Sequence, residues 1–599
     1  MCSISGFYDP TADFTGQRDS FLHILDEMKH CLAHRGPDDN DSLLTPHCGL
    51  AHTRLSIIDL AGGHQPMTRE LDGYPYHIVY NGEIYNMKEL KNDLANHQVF
   101  PKTNSDTEIL LLSYLTFGAD FVKKVDGIFA FAIYDERHNT LTLFRDSFGV
   151  KPLFYTMING TIVFSSEPKG CFCFPGVKAE LDVDGLNEIL SLGPARTPGS
   201  GVFYGFHELL PGCYLTCSVF GRKMTQYFHL ESRPHFDSYE ETVEKTSFLI
   251  QDAIKRQMVS DVPICTFLSG GVDSSVVSAV CAAELKKQGK KLTTFDFIDN
   301  DKYFKANSFQ PSQDRPYVDK MVSFLDSDHH YLECDNKMQA DLLYRSVDAH
   351  DLPCMADIDS SLQYFCEEVS HSHKVVLTGE CADEVFGGYP WFHREEMLNS
   401  GTFPWTPSLT PRKVLLKDDL VESLHMDEYV KNIYDRSVSE INVLPSENEI
   451  ETNRRRIGYL NIRFFMQTLL NRMDRTSMFS GLEARVPFAD RTLVDYVFNI
   501  PWEMKAKDGL VKNILRQASK GLLPDEILFR RKSPYPKTYN PYYENLLAKR
   551  LKEVLSDSAS PLHSLLDLKQ VTQFLDNPKD YGAPWYGQLM AGPQMIAYL

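Results

Sequence analysis

The stretch VPICTFLSGGVDSSVVSAVCAAELKKQG, residues 262–289, joins three local patterns that together predict one kind of fold. VPICTFL is a short, nearly continuous apolar run, which is typical of a strand buried on both faces of a parallel sheet. A small polar turn, SGGVDSS, follows, and then a run that predicts a helix. Strand, polar loop and helix in this order favour a doubly wound α/β domain, whose ligands bind beyond the carboxyl ends of the strands.

The turn at residues 269–275 has the chemistry of a phosphate cradle. Gly270 and Gly271 allow the backbone to turn tightly and aim N–H groups at an anion, and the helix N-terminus adds partial positive charge. The turn lacks the lysine of the G-x-x-x-x-G-K-[ST] loop, so it is a different phosphate loop. Asp273 within the turn would repel phosphate unless a divalent cation bridged them, which predicts Mg²⁺ together with a nucleotide.

A second apolar strand, KVVLTGE, occupies residues 374–380 and opens the motif TGECADEVFGGY. Glu380, Asp383 and Glu384 cluster there among small residues. Carboxylates this dense at a strand end repel each other unless cations or proton transfer hold them there. An exposed acidic turn is the alternative interpretation of this motif taken alone.

The chain begins MCSISGFYDP, which places a cysteine directly behind the initiator methionine. Removal of Met1 would leave Cys2 with a thiol and a free α-amine on one residue, a nucleophile with its own base. From residue 1 to about 215, short strands and turns with occasional helices predict layered sheets flanked by helices. The sequence pattern changes near residues 229–241, after which the chain is richer in helical patterns.

Composition limits the classes of function. A length of 599 residues predicts two or more domains. The 61 basic and 81 acidic residues give a net charge of −20, which argues against a broad nucleic-acid or anionic-membrane surface. The start lacks a signal-peptide pattern and no apolar run approaches a membrane span, so we expect a cytoplasmic protein with no membrane association. The thirteen cysteines are scattered without paired zinc-type spacing, which fits a reducing compartment.

Two groups of motifs carry a resemblance to known families. Cys2 with SISGFYD, then AHRGPDD, RLSIIDL, YNGEIYN, SDTE, DGIFAFAIYD and RDSFGVKPLFY resemble the class II, N-terminal-nucleophile glutamine amidotransferase domain. LSGGVDSS, TGECADEVFGGY and MDRTSMFSGLEARVPFAD resemble the ATP-pyrophosphatase synthetase domain. In this order, over nearly the whole chain, they resemble the glutamine-hydrolysing asparagine synthetase family.

The resemblance implies a two-domain α/β protein. Residues 1–218 are expected to form a glutaminase domain, an αββα sandwich of the N-terminal-nucleophile type. Residues 219–235 are expected to be a linker. Residues 236–599 are expected to form a doubly wound, parallel-sheet ATP-pyrophosphatase domain with extra helices.

The resemblance also implies the chemistry of the first site. The Cys2 thiolate would attack the side-chain amide of glutamine, and a glutamyl thioester would form as ammonia leaves. Asn81 and the N–H of Gly82 are similar to an oxyanion hole. Arg54 would pair with the α-carboxylate of glutamine, while Asp106 and Glu83 would hold its α-ammonium group.

For the second site the resemblance implies activation of a carboxylate by ATP. The residues that would bind ATP are Phe267, Leu268, Ser269, Gly270, Gly271, Asp273, Ser274, Phe297, Thr378, Gly379, Arg475 and Arg485. Asp273 and Asp383 are the expected Mg²⁺ ligands. Glu380 resembles the base that takes a proton from attacking ammonia, and Lys532 a catalytic cation that neutralises the leaving pyrophosphate.

The implied reaction makes asparagine, AMP and pyrophosphate from aspartate, glutamine and ATP, with ammonia passing through an internal channel and with a homodimer possible. Two segments depart from the family pattern. LTTFDFIDN places Asp296 and Phe297 where small residues are usual, and residues 357–361 read DIDSS, which names no partner for the α-carboxylate of the acceptor. An amide-forming enzyme acting on another carboxylate is therefore the alternative, whereas a non-catalytic nitrogen sensor is disfavoured because nucleophile and phosphate loop are both intact.

Overall fold

The computed structural model describes residues 2–298, 304, 306, 311–531, 540–576 and 593–599. The strands in chain order are β1 (Ser3–Tyr8), β2 (Asp39–Leu44), β3 (Cys48–Arg54), β4 (Met67–Leu71), β5 (Tyr74–Ile84), β6 (Gly127–Asp135), β7 (Thr140–Arg145), β8 (Phe154–Ile158), β9 (Thr161–Ser165), β10 (Phe206–Glu208), β11 (Cys213–Ser218), β12 (Gly221–Gln226), β13 (Ile264–Phe267), β14 (Thr293–Ile298), β15 (Asp328–Glu333), β16 (Val375–Leu377) and β17 (Glu483–Arg485).

The helices connect and cover these strands. In chain order they are α1 (Arg18–Cys31), α2 (Met87–Asn96), α3 (Asp106–Phe117), α4 (Pro168–Phe172), α5 (Val183–Asn187), α6 (Tyr239–Arg256), α7 (Val272–Lys287), α8 (Arg315–Leu325), α9 (Asn336–Asp341), α10 (Leu343–His350), α11 (Asp357–Ser370), α12 (Ala382–Phe386), α13 (Glu395–Leu398), α14 (Thr410–Lys413), α15 (Asp418–Leu424), α16 (Met426–Ser439), α17 (Glu449–Leu460), α18 (Met466–Met478), α19 (Arg491–Phe498), α20 (Trp502–Lys505), α21 (Asn513–Ala518), α22 (Asp525–Leu528), α23 (Pro541–Ser556), α24 (Leu568–Asp576) and α25 (Pro593–Tyr598).

Two antiparallel sheets form the N-terminal part, with strand orders β10-β8-β9-β1-β3-β2 and β12-β11-β7-β6-β5-β4. Their inner faces share one core, to which Ile4 and Leu50 contribute from the first sheet and Val79 and Ala132 from the second. The outer face of the first sheet packs on α1 and α4, and that of the second on α2 and α3. This arrangement confirms the predicted αββα sandwich.

One glycine permits the close pairing that positions the first site. Gly82 lies on β5 opposite Phe129 of β6, and a Cβ atom there would lie 2.2 Å from the carbonyl oxygen of Ile128. No side chain fits at that distance, so glycine is required. The close pairing fixes the neighbouring Asn81 on the strand.

The C-terminal sheet is parallel, with the order β15-β14-β13-β16-β17. Strand order reverses between β13 and β16, whose pairing aligns Ile264 with Val375 and Thr266 with Leu377. The carboxyl ends of these two strands therefore meet at the switch point where doubly wound folds bind ligands. Helices cover both faces of the sheet, since α7 contributes to one core and α11 to the other. The predicted doubly wound domain is confirmed.

The sheet of the N-terminal part continues into the segment predicted as linker. β12 pairs along its whole length with β11, so the connection between that sheet and the next helix covers residues 227–238. The sequence GRKMTQ gave no strand signal because the strand is a polar, largely exposed edge. α6 then begins with a capping box formed by Ser238 and Glu241. Among the described residues, no helix combines the length and apolar character that a membrane crossing requires.

Candidate active sites

Cys2 is the residue directly before β1, and it is buried against β5, the strand that carries Asn81. The backbone nitrogen of Cys2 donates a hydrogen bond of 3.1 Å to Oδ1 of Asn81. The amide nitrogen of the same side chain, Nδ2, is buried and has no hydrogen-bond partner in the part of the chain that the structure describes. Leaving a buried donor unsatisfied costs about 1–3 kcal/mol. A donor kept available beside a nucleophile suits an oxyanion that develops only during reaction.

The surroundings of the Cys2 thiol act on its ionisation in opposite directions. Burial raises the pKa of the thiol, whereas a hydrogen bond from the backbone of Leu55 and the positive charge of Arg54 lower it. Arg54, at the end of β3, donates to the carbonyl oxygens of Ile58, Asp59 and Leu60 at 3.2, 2.8 and 3.1 Å. The guanidinium group thus holds the loop that follows the strand and places its charge near the nucleophile.

Two buried carboxylates complete this pocket. Asp106 is the first residue of α3 and accepts a hydrogen bond of 2.9 Å from the hydroxyl of Tyr80. Burial raises the pKa of Asp106 to about 6. Burial also raises the pKa of Glu83 well above its usual value, although Arg485, 3.3 Å away, opposes the shift. The sequence-predicted set of Cys2, Asn81, Gly82, Arg54, Glu83 and Asp106 is therefore brought together by β1, β3, β5 and α3.

The turn after β13 is closed by its own serines. Ser274 Oγ lies 3.0 Å from Ser269 Oγ and accepts a hydrogen bond of 3.1 Å from the Ser269 nitrogen. Gly270 has a φ of +67°, and a Cβ atom there would lie 2.7 Å from Tyr317 Cβ. Only glycine satisfies both the left-handed backbone and the close approach.

The loop after β16 touches this turn through Gly379. A Cβ atom on Gly379 would lie 2.7 Å from the backbone nitrogen of Ser274. Thr378 donates its N–H to the carbonyl oxygen of Arg485 at 3.0 Å. The two loops that the sequence singled out therefore form one site, as expected for neighbouring parallel strands.

Asp273 and Asp383 converge on a single lysine. The Nζ atom of Lys512 lies 2.5 Å from Oδ2 of Asp273 and 2.5 Å from Oδ1 of Asp383. Burial favours neutral Lys512, but the two carboxylates outweigh it and raise its pKa. Paired carboxylate oxygens beside a phosphate loop are the ligands that Mg²⁺ prefers, so the residues present fit this ion.

Beside this pair, Glu380 binds a buried arginine. Arg472 on α18 donates to Glu380 at 2.8 Å and is 5% exposed. Glu384 on α12, the residue after Asp383, accepts a hydrogen bond from the hydroxyl of Tyr389. Burial and the neighbouring charge of Asp383 raise the pKa of Glu384 to about 7.

The predicted adenine pocket is an aromatic cluster at the ends of β13 and β14. Phe297 stacks on Phe365 with ring centroids 3.5 Å apart and meets Phe267 edge-on at 5.3 Å. Leu268 is fully buried and donates its N–H to the carbonyl oxygen of Phe295 at 2.8 Å. Flat apolar surfaces of this kind suit a purine ring.

Comparisons with known proteins match both parts of the chain. The family model described as asparagine synthase matches residues 246–597, and the model described as glutamine amidotransferase domain matches residues 1–228. The chain belongs to the asparagine synthase family. It is 46% identical to asparagine synthetase [glutamine-hydrolyzing] 3 of Bacillus subtilis, over 100% of this chain and 97% of that relative. It is 28% identical to synthetase 1 of the same organism, over 93% and 90% of the two chains, and 29% identical to amidase chyE of Penicillium rubens, over 89% and 88%.

Two predicted ATP ligands of this asparagine synthase family chain, Arg475 and Arg485, form ion pairs with carboxylates. Arg475 donates to Asp351 at 2.8 Å and lies 3.5 Å from Glu167, at the interface between the N-terminal sandwich and the C-terminal domain. Arg485 pairs with Glu483 at 2.5 Å and with Glu83 of the glutamine pocket. Both guanidinium groups are engaged by buried carboxylates in this structure, and their assignment to ATP stays a prediction. Lys532 lies outside the described residues, and its role stays a prediction.

Sequence reasoning missed two basic residues, Lys512 and Arg472. Lys512 comes from a segment 239 positions after Asp273 and carries no local signature of phosphate chemistry. Arg472 directly precedes the quoted motif MDRTSM, so its place next to that motif was the only available signal. Both are assigned by contacts across the fold.

A buried ion cluster joins the two sites of the family chain. Arg35 donates to Glu167 and to Asp474, both at 2.8 Å, and to the carbonyl oxygen of Cys2 at 3.2 Å. Lys151 donates to the other oxygen of Asp474 at 2.9 Å. The cluster therefore links the nucleophile of the N-terminal part to α18, which also carries Arg472.

Proposed function

We propose that this chain is a glutamine-hydrolysing asparagine synthase that forms asparagine from aspartate, glutamine and ATP. The observation that carries the proposal is the occurrence, in one chain, of the Cys2–Asn81 pair and the Asp273–Lys512–Asp383 site. The first has the parts for releasing ammonia from an amide, and the second has the parts for binding a nucleoside triphosphate. The 46% identity to a relative named as such a synthetase supports the pairing.

The first half-reaction takes place at Cys2. After removal of Met1 the α-amine accepts the thiol proton, and the thiolate attacks the amide carbon of glutamine. Nδ2 of Asn81 and the N–H of Gly82 donate hydrogen bonds to the oxyanion. As this intermediate collapses, the ammonium group of Cys2 returns its proton to the departing nitrogen and ammonia leaves; water then hydrolyses the glutamyl thioester to glutamate and the free thiol. Arg54 and the carboxylates of Asp106 and Glu83 hold the two ends of the substrate's amino-acid group.

The second half-reaction takes place at the paired loops. The β-carboxylate of aspartate attacks the α-phosphorus of ATP, pyrophosphate leaves, and ammonia displaces AMP from the acyl-adenylate. Glu380 accepts a proton from the attacking ammonia, and Lys512 offsets negative charge on the phosphates. Asp273 and Asp383 would hold Mg²⁺, which would supply further neutralisation of phosphate charge. We further propose that ammonia passes between the two sites inside the protein.

The same proposal assigns a role to each part of the chain. Residues 1–218 would act as the glutaminase domain, residues 219–235 as the connection that also completes an edge strand, and residues 236–599 as the synthetase domain. We propose a cytoplasmic location, because the thirteen cysteines are all free, which fits a reducing compartment, and assembly as a homodimer. Aspartate as the acceptor acid has one alternative, a different carboxylate. The DIDSS segment supplies no basic residue to pair with the α-carboxylate of aspartate, and the likeness to amidase chyE also favours this alternative.

The test is a product assay on protein with a verified Cys2 N-terminus. The protein is supplied with ATP, Mg²⁺, ammonia and a mixture of amino acids, and products are identified by mass spectrometry. Asparagine formed with equal AMP and pyrophosphate supports the proposal, whereas AMP formed only with another acid supports the alternative. With glutamine as the donor, Cys2→Ala is expected to abolish product formation while ammonia-dependent synthesis continues.

A further inference from the structure

A histidine, a cysteine and an aspartate meet where α10 ends and α11 begins. His350 is the last residue of α10, Cys354 lies in the loop that follows, and Asp359 lies in the first turn of α11. The imidazole nitrogen, the sulfur and the carboxylate oxygen that they offer all lie within 4.8 Å of one another. His350 and Asp359 are buried, and Cys354 is partly exposed. Three side chains of the types that bind transition metals are thus gathered by one short stretch of chain.

The spacing of these three atoms suits a zinc ion after a small contraction. Zinc binds nitrogen, oxygen and sulfur at about 2.0–2.3 Å in a tetrahedron, so its ligand atoms are about 3.3–3.8 Å apart. A set that already lies within 4.8 Å requires shifts of about 1 Å or less at each side chain to reach that geometry. Side-chain rotation alone can supply movements of this size.

The hydrogen bonds of His350 direct one ring nitrogen with a lone pair toward this cluster. Burial favours the neutral imidazole, which carries a proton on one nitrogen only. Nδ1 lies 2.8 Å from the carbonyl oxygen of Ser346, which can only accept, so Nδ1 carries the proton and Nε2 the lone pair. Nε2 lies 3.5 Å from the hydroxyl of Thr476, a long contact that a metal ion can replace. A backbone carbonyl that fixes the other ring nitrogen is the usual support of a metal-binding histidine.

The two acidic side chains match the charge of a divalent ion. A Zn²⁺ ion bound by the thiolate of Cys354 and the carboxylate of Asp359 leaves no net charge to be buried. Asp359 also accepts a hydrogen bond from the backbone N–H of Met355, which orients the carboxylate. Each carboxylate oxygen has two lone pairs, so this hydrogen bond does not prevent metal binding. Arg475, one of the neighbouring cations, is already paired with Asp351.

A cavity between the two domains opens onto two of these side chains. It has a volume of about 70 Å³ and is lined by His350 and Cys354 from the C-terminal domain and by Phe154, Pro168 and Arg196 from the N-terminal sandwich. A single water needs about 10–15 Å³ of such space, so a water can occupy the fourth position of the ion. Three protein ligands with one position left for water are a common pattern of zinc sites.

We propose that His350, Cys354 and Asp359 form a binding site for one zinc ion. Nε2 of His350, the sulfur of Cys354 and a carboxylate oxygen of Asp359 bind the ion, and a water in the cavity completes the tetrahedron. The proton of the Cys354 thiol leaves to solvent as the zinc–sulfur bond forms, and no electron is transferred.

The proposed zinc site lies next to the second active site. Met355 directly follows Cys354, and its Sδ atom lies 3.5 Å from Nη1 of Arg472. Nη2 of the same arginine donates to Glu380 at 2.8 Å. A zinc ion would therefore fix the loop between α10 and α11 beside the Arg472–Glu380 pair, which is a structural role.

The test adds the metal alone to full-length Cys2→Ala protein, which lacks the thiol of the nucleophile. The protein is stripped with a chelator and returned to buffer that contains a phosphine reductant and excess Mg²⁺, which occupies the Asp273 and Asp383 pair. It is then titrated with Co²⁺, which takes the place of zinc and gives a near-ultraviolet absorption band when a thiolate binds it. The expected result is a band that saturates at one equivalent of Co²⁺ and that one equivalent of Zn²⁺ removes. The same addition of Zn²⁺ to the stripped protein should raise its melting temperature.

Matched variants assign the band to the three side chains. Cys354→Ser should abolish the thiolate band. His350→Gln and Asp359→Asn should each weaken Zn²⁺ binding by more than about tenfold, because loss of even a group that supports a metal ligand costs that much. Cys334→Ser, at another partly exposed cysteine, is the control and should bind both metals as the parent does. The melting temperature of each metal-free variant shows whether it is folded.

The parent protein alone can overturn the proposal, if one equivalent of metal produces neither the band nor the rise in melting temperature. A band that persists in folded Cys354→Ser would place the ion at another cysteine and would also overturn it. If the serine variant does not fold, Cys354→Ala, which puts an apolar group at this site, takes its place. None of these measurements depends on catalysis, so failure of the zinc site is distinguishable from failure of the proposed function.

Discussion

Asn81 divides the two polar atoms of its amide between two tasks. Oδ1 accepts the backbone N–H of Cys2, which fixes the side chain, and Nδ2 is thereby directed away from that bond. The position on β5, opposite Ala130 of β6, prevents the side chain from rotating with a flexible loop. A preorganised donor of this kind stabilises charge without reorganisation during the reaction.

Replacement of Asn81 tests this division. Asn81→Ala and Asn81→Asp both remove the donor, but the second keeps an acceptor for Cys2. We expect the glutaminase kcat of both to fall about 10²–10³-fold with little change in KM, because the lost interaction exists only in the transition state. Ammonia-dependent synthesis should be unchanged, and Asn96→Ala, at an exposed position on α2, is the control. Wild-type glutaminase activity in Asn81→Asp would show that Nδ2 has no such role.

The second prediction at the residue scale concerns the charge of Lys512. Lys512→Met removes the charge that Asp273 and Asp383 share, and we expect kcat for both ammonia- and glutamine-dependent synthesis to fall about 10²-fold. Glutaminase activity should persist, because Cys2 lies in the other domain. Lys520→Met, at an exposed position in the same region, is the control. Parallel loss of glutaminase activity would indicate general disruption of the fold.

At the scale of elements, the predictable parts of the molecule are those whose chemistry is contiguous with a strand. SGGVDSS and TGECADE follow β13 and β16 directly, so strand pattern and loop composition located both halves of the phosphate site. The ion pairs of Arg475 and Arg485 were not foreseen, because a basic residue in a motif does not reveal which carboxylate it will meet. Lys512 and the edge strand β12 gave no periodic signal, and only tertiary contacts identify them.

The N-terminus of α3 sets the ionisation of the glutamine pocket. The helix dipole and the N–H of Thr107, which donates to Asp106 at 2.9 Å, favour the ionised carboxylate, whereas burial disfavours it. The outcome is a pKa of about 6 for Asp106. Below that pH the carboxyl is neutral and no longer attracts the ammonium group of glutamine.

The loss of the Asp106 charge at low pH determines the expected pH profile of glutamine hydrolysis. We expect kcat/KM for glutamine to fall about tenfold per pH unit below the pKa of Asp106, because this parameter reports ionisation in the free enzyme. Asp106→Asn should have low kcat/KM throughout and lack this step, whereas Asp120→Asn, in an exposed ion pair, should follow the wild type. The profile is measured as glutamate release without aspartate. An unchanged step in Asp106→Asn would assign the titration to another group.

At the scale of the whole molecule, buried charged side chains join the N-terminal sandwich to the C-terminal domain. Arg35 and Lys151 of the N-terminal part and Asp474 of α18 are buried, and both cations pair with Asp474 across the interface. Glu167 binds Arg35 on the N-terminal side. Burial raises the pKa of Asp474, but the charges of Arg35 and Lys151 outweigh it and hold that pKa below the usual value. Such a cluster resists replacement of single members, because each removal leaves an unpaired buried charge.

Asp474→Asn should destabilise the protein by about 3–5 kcal/mol at neutral pH, since it leaves Arg35 and Lys151 without their shared carboxylate. The pKa of Asp474 is lower in the folded protein than in the unfolded chain, so its stabilisation is present above the unfolded value of about 3.9 and lost as pH falls through the folded one. The difference between wild type and variant, measured by urea unfolding from neutral to acidic pH, should therefore narrow below about pH 4. Asp435→Asn, which breaks an exposed pair with Lys431, should change stability by less than about 1 kcal/mol. A gap that stays constant into the acidic range would show that the ionised Asp474 is not what holds the two halves together.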